Sequence, residues 1–156
     1  MLKWKRGRAR KRRMLIEITI DGKPVAKGRP RFARRGAFVS TYTPAKTADY
    51  EAIIAAAGRA SMIGQKLTES ALVAFFDIFI PYPKAFTKKQ RSEAGNGILR
   101  PVKKPDWDNF GKIISDALNG IVYKDDSQIV EGTVRKFYSD HPCVKITIKT
   151  VDCNSP

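Results

Sequence analysis

Residues 71–80, A-L-V-A-F-F-D-I-F-I, constrain this chain more than any other stretch. Nine of the ten are apolar, and the run is rich in aromatic and β-branched types, which favours a strand over a helix at this length. A strand apolar at successive positions, not alternate ones, is expected to be central in a sheet and buried on both faces. Asp77 is its odd member. A carboxylate there is expected to be paired or edge-facing, with a role beside a functional site as the alternative. Pro81-Tyr82-Pro83 ends the run.

Other segments supply what such a strand needs. Residues 15–20 alternate Ile16, Ile18 and Ile20 with Glu17 and Thr19, predicting a half-buried strand that closes at the turn pair Asp21-Gly22. Thr43 as N-cap and Pro44 at the first helical position predict a helix over 44–60, with Tyr50, Ile53, Ile54 and Ala57 inward and Gly58 and Gly64 at its fraying end. Thr87-x-x-Gln90 has the form of a capping box opening a short basic helix, and Gly95-Asn96-Gly97 that of a loop tip. The stripe Phe110, Ile113, Ile114, Ala117 and Leu118 predicts a helix over 109–119, with Asp108 as its N-cap and Gly120 just past its end. After a short extended segment at 121–123 and a polar turn at 124–127, residues 128–137 and 144–151 are predicted to close the fold as an antiparallel pair.

Charge is where the chain departs from an ordinary globular protein. Its 30 Lys and Arg against 15 Asp and Glu leave +15, and eight of the basic residues stand in segment 1–13, so that residues 14–156 still carry +7. Self-repulsion of that size points to a polyanionic partner. Segment 1–13 is expected to be a disordered basic arm preceding a single domain over 14–156. Residues 22–35 form a basic ribbon or loop in which Lys23, Lys27, Arg29, Arg31, Arg34 and Arg35 are interleaved with Phe32. With Phe38 beyond, this is a candidate phosphate-tracking surface, the plain alternative being a solvated hairpin. Lys103 and Lys104 are further candidate phosphate contacts. No run reaches the ~18 apolar residues of a membrane span. Cys143 and Cys153 are too few for a disulfide framework and are expected to be reduced thiols. With His141 as the one histidine, a zinc site or histidine-based triad lacks material.

Against this basic background the acids are concentrated. Asp106, Asp108, Asp116, Asp125 and Asp126 fall within 21 residues. Clustered carboxylates raise one another's pKa unless a cation neutralises them, and hard oxygens suit Mg²⁺, which keeps several waters and shares its shell with substrate phosphate. On one helix, positions i and i+2 point roughly 200° apart, so Asp106 and Asp108 converge only if the D-W-D stretch is extended or turned at the helix entrance. Lys112 shares the polar side with Asp108, Asn109, Ser115, Asp116 and Asn119, where it can hold a phosphate or stabilise a leaving oxygen. The plain alternative is that these aspartates are caps and turns.

At these residues the sequence resembles a known family. K-P-D-W-D-N-F-G-K-I-I-S-D-A-L-N-G-I-V-Y-K-D-D-S-Q-I, residues 104–129, is similar to the signature of RusA-type Holliday junction resolvases, the endodeoxyribonuclease RusA family. G-K-P-V-A-K-G-R-P-R upstream and Thr41-Tyr42-Thr43-Pro44 resemble the N-terminal half of its phage and prophage members, and the likeness runs over about residues 15–150. The basic arm is a departure from the compact members.

The resemblance implies a small single domain of the α/β (α+β) class, a mixed and mostly antiparallel sheet with helices packed on it, forming a homodimer. It implies an endodeoxyribonuclease that binds four-way junctions and nicks two opposed strands with Mg²⁺, or Mn²⁺ in its place, in DNA recombination and repair, in the cytoplasm of a bacterium or encoded by a phage. The catalytic and metal-holding aspartates would be Asp106, Asp108 and Asp126, with Lys112 as the essential lysine. The competing functions are a non-catalytic, structure-selective nucleic-acid-binding protein and a nuclease for other branched DNA.

Overall fold

The computed structural model describes residues 13–151; the proposed arm, but for Arg13, and Cys153 lie outside the described residues. The element order is β1 (Leu15–Asp21), β2 (Arg31–Arg35), β3 (Phe38–Tyr42), α1 (Ala45–Ser61), β4 (Leu72–Pro81), α2 (Lys88–Gly95), α3 (Trp107–Leu118), a one-turn 3₁₀ helix (Asp126–Gln128), β5 (Ile129–Ser139) and β6 (Cys143–Thr150). This is one small α+β domain with a four-stranded mixed sheet in the order β1-β6-β4-β5, and a separate two-stranded sheet of β2 and β3.

The apolar run does become an inner strand. β4 pairs antiparallel with β6 on one side and parallel with β5 on the other. The predicted β5–β6 hairpin is therefore not formed: the two strands follow each other in the chain but β4 lies between them. An inner strand needs hydrogen-bonding partners along both edges, and β5 and β6 supply one each.

Burial on β4 is also asymmetric. Leu72, Ala74, Phe76 and Ile78 are buried, whereas on the other face Val73 is buried but Phe75, Asp77 and Phe79 are only half-buried, so the expectation of two buried faces holds in full for one. The buried face meets Ile16, Ile18 and Ile20 of β1, Val144, Ile146 and Ile148 of β6, and the apolar sides of α1 and α3 in one core. On the other face long side chains of the sheet lie over the rings: the Lys149 and Lys145 ammoniums are 5.7 and 5.4 Å from the centroids of Phe75 and Phe79. Lysine stems can cover apolar surface while the charge stays in water, so a second helical layer is not required.

Three details of α1 differ from expectation, the first being that Ile53, expected inward, is 53% exposed. Pro44 occupies the N-cap position of α1, with Thr43 outside the helix. Gly58 is not at a frayed end but buried within α1, where a Cβ would stand 2.5 Å from Leu118 Cδ2 of α3. Any larger residue there would force the buried Leu118 side chain to shift. The capping box of α2 forms as expected: Gln90 N–H donates to Thr87 Oγ1 at 3.2 Å and Thr87 N–H to Gln90 Oε1 at 2.9 Å.

Candidate active site

α3 begins two residues earlier than its apolar stripe indicates. Asp106 holds the N-cap position with φ −71° and ψ 149°, and Asp108 lies in the first helical turn. Asp108 is therefore not the N-cap. The extended backbone at Asp106 takes it out of helical phase with Asp108. Asp106 makes no side-chain capping bond, and carboxylates at a helix N-terminus are favoured by its dipole.

The segment leading into α3 is tied down from β5. Lys136 Nζ donates to the carbonyls of Lys103 (3.1 Å) and Pro105 (3.0 Å), and Arg100 Nε donates to the Lys136 carbonyl at 2.6 Å. From the other side, Lys27 N–H donates to the Asn109 carbonyl at 3.0 Å. Neither Arg100 nor Lys136 stood out in the sequence, because nothing in its spacing separates a lysine that bonds backbone carbonyls from one that faces water.

Beyond its buried stripe of Phe110, Ile113, Ile114 and Leu118, α3 offers two flanks and a crest. On one flank Trp107, Gly111 and Ser115 line a cleft of about 220 Å³ with Asp126 and Val134. On the other, Asp106 and Asn109 line a basic cleft of about 430 Å³ with Lys27, Arg29 and Lys104. Asp108 and Lys112 are exposed, one turn apart, on the crest. The sequence-predicted residues are thus gathered around one helix but distributed among three of its sides. Among the described residues, no group of three or more carboxylate, cysteine or histidine side chains converges into a ready-made metal cage. The donor chemistry fits a hard divalent cation nonetheless: all three candidates are carboxylates, and Mg²⁺ needs only one or two from the protein when water and phosphate complete its shell.

The neighbours Asp125 and Asp126 have different surroundings. Asp125 caps the 3₁₀ helix, accepting from Ser127 N–H at 2.9 Å while Gln128 Oε1 accepts from Asp125 N–H at 3.0 Å. Gln128 Nε2 in turn donates to the carbonyls of Thr68 (2.8 Å) and Ser70 (3.0 Å). The backbone bond from Ser127, followed by a bond with Asp126, lowers the Asp125 pKa. Asp126 instead faces the cleft, and its pKa is raised by the hydrogen bond with Asp125, by partial burial and by the charges of Asp125 and Asp116, with Lys112 opposing. Buried Tyr123 sets this turn against α3, its hydroxyl donating to the Ser115 carbonyl at 2.7 Å.

One predicted DNA contact is occupied internally. The Lys27 ammonium is paired with Glu51 of α1 and, at 3.0 Å, with Asp116 of α3, whose same oxygen is 4.0 Å from Lys112 Nζ. Burial alone would lower the Lys27 pKa, but the bonds to the two carboxylates outweigh it and the net shift is upward. Arg29 and Lys104 are exposed at the basic cleft, Lys23 and Lys103 are exposed nearby in the chain, and Arg31, Arg34 and Arg35 stand exposed on β2. No helix among the described residues is long and apolar enough to cross a membrane.

Comparison with known proteins adds a family. The model described as endodeoxyribonuclease RusA matches residues 21–149. An uncharacterized protein of Bacillus subtilis (strain 168), YqaN, is 40% identical over 141 residues, covering 87% of this chain and 96% of that protein.

Proposed function

Because the chain belongs to the endodeoxyribonuclease RusA family, we propose that it resolves four-way DNA junctions by paired nicking in the presence of Mg²⁺, with Mn²⁺ as a substitute. Supporting this reading is the company its carboxylates keep. Asp126, its charge disfavoured by Asp125 and Asp116, lines one flank of α3, and Asp106 lines the other in a cleft shared with Arg29 and Lys104. Negative groups that repel one another beside a concentration of positive ones suit a site for a metal ion and a phosphate backbone together.

In this mechanism Asp106, Asp108 and Asp126 would hold one or two divalent ions, which when bound would polarise the scissile phosphate. Lys112, on the crest beside Asp108, neutralises charge that builds on the phosphate oxygens. Lys27 pairs with Asp116 at 3.0 Å, and the same carboxylate oxygen lies 4.0 Å from the exposed Lys112 ammonium. A four-way junction has approximate two-fold symmetry and requires two cuts, which a homodimer with two identical sites would make. The nuclease domain covers 14–156, and segment 1–13 adds phosphate affinity. We place the activity in DNA recombination and repair in the cytoplasm.

The test is cleavage of a synthetic junction, a flap and a linear duplex by wild type and Asp108→Asn, with binding measured in parallel. Junction cleavage should fall by about a hundredfold or more in the variant, while binding is retained or tightened because a negative charge is lost without loss of volume. Equal cleavage by the variant would refute the site. Wild type that binds but does not cut under any metal would make the protein a structure-selective binder, and faster cutting of flaps would change the substrate.

A further inference from the structure

The two-stranded sheet is unlike the rest of the molecule. Among the described residues β2 and β3 pair only with each other, and nine of their ten residues are exposed. Phe32 is 74%, Phe38 81%, Val39 62% and Tyr42 47% exposed. An isolated hairpin is marginally stable in water at best, and this one has no buried face to hold it.

Its register distributes the chemistry evenly. Phe32 lies opposite Thr41 and Arg34 opposite Val39, while Arg31 faces Tyr42 and Arg35 faces Phe38. Since side chains alternate along a strand, Phe32 and Arg34 share one face with Val39 and Thr41. Arg31 and Arg35 share the other with Phe38 and Tyr42. Both faces therefore carry aromatic rings and arginines. Among the described residues, none of Arg31, Arg34 and Arg35 meets a carboxylate. A second protein docking on one face would leave the same combination unused on the other. A nucleic acid branch, where bases and phosphates lie on both sides of an inserted ribbon, uses both.

We propose that the β2–β3 hairpin is a branch-probing arm that grips phosphates through Arg31, Arg34 and Arg35 and stacks Phe32 and Phe38 on bases left unstacked at a DNA branch point. A two-stranded ribbon is narrow enough for the major groove, and aromatic side chains stack on any unpaired base. The arm is continuous with the candidate site, because β2 follows directly on the segment that contributes Lys27 and Arg29 to the basic cleft. This inference rests on the reading of the protein as a binder of branched DNA and adds how the branch is recognised.

The experiment uses the full chain without divalent metal, so that no substrate is cut. A four-way junction with 2-aminopurine at the branch point is titrated with wild type and with Phe32→Ala/Phe38→Ala, alongside a linear duplex of matched length. Wild type should change the 2-aminopurine fluorescence on binding through ring stacking. The double variant should lose that change and bind the junction about tenfold or more weakly, with duplex affinity within about twofold. Sedimentation and thermal unfolding of both proteins complete the test, since both rings are exposed and their removal should leave fold and oligomeric state intact. An unchanged fluorescence response in the variant would overturn the arm, and so would dissociation of an oligomer on removal of the rings. Cleavage with Mg²⁺ separates the two readings. A protein that cuts junctions without the stacking signal loses only the arm, and one that gives the signal but never cuts loses only the nuclease.

Discussion

Two regions of this protein combine cations with aromatic rings, and they do so to opposite effect. On the open face of the four-stranded sheet the groups satisfy each other. Arg135 forms a bidentate pair with Asp77 (2.6 and 2.7 Å), Phe79 stacks on Phe137 at 5.3 Å, and the Arg100 guanidinium is 3.9 Å from the Phe137 centroid. Lys145 and Lys149 cover Phe79 and Phe75. On the β2–β3 hairpin the same residue types stand apart from any internal partner among the described residues. A cation already over a ring or beside a carboxylate must give up that interaction to reach a phosphate, whereas a free one has nothing to lose. Composition alone does not separate the two regions; the presence or absence of an internal partner does.

That contrast can be broken experimentally. The largest effect is expected from Arg31→Gln/Arg34→Gln/Arg35→Gln. Loss of three phosphate contacts should weaken DNA binding about a hundredfold at low salt and flatten the slope of log K against log salt by about 3. An anisotropy titration across a salt series reads both, and thermal unfolding should be unaltered.

Lys27→Met sharpens the contrast, because Lys27 belongs by sequence to the same basic ribbon but by structure to a carboxylate network. Its removal should slow junction cleavage by about tenfold through loss of its hold on Asp116 beside Lys112, with the salt slope of binding unchanged. A slope reduced by about 1 would instead show Lys27 to be a phosphate contact. The smallest effect is expected from Lys145→Met/Lys149→Met, which should alter stability by no more than about 1 kcal/mol and junction affinity by less than about twofold. If this pair weakened binding as much as the hairpin arginines do, the open sheet face would be a DNA surface and the comparison would fail.

Much of the fold was legible beforehand for a shared reason. The alternation in β1, the stripe on α3 and the capping box at Thr87 are patterns set within a few residues, and strands and helices impose those periods wherever they occur. Gly120, with φ +74°, ends α3 where expected, and Gly22, with φ +101°, turns the chain after β1. Gly58 was misjudged because a glycine at a helix end and one at a helix crossing look alike until the second helix is in place. Asp106 at the N-cap was hidden for a related reason: its extended backbone shows in dihedral angles, not in the order of residue types.

The candidate site divides along the same line. Residue types and spacing sufficed to single out the acidic stretch from Asp106 to Asp126, and the family signature within it picked Asp126 over Asp125. The physical difference between those two became visible only in three dimensions, where one carboxylate caps a 3₁₀ turn and the other faces a cleft beside α3. In the sheet, β5 and β6 are near neighbours in sequence, yet β4, from far earlier in the chain, runs between them. Local order thus determined which segments become strands and helices and where charge is concentrated. Strand pairing, helix approach and the partners of each cation depended on contacts between distant segments, because hydrogen bonding along both edges of β4 and burial of its apolar face are met only when the whole chain has come together.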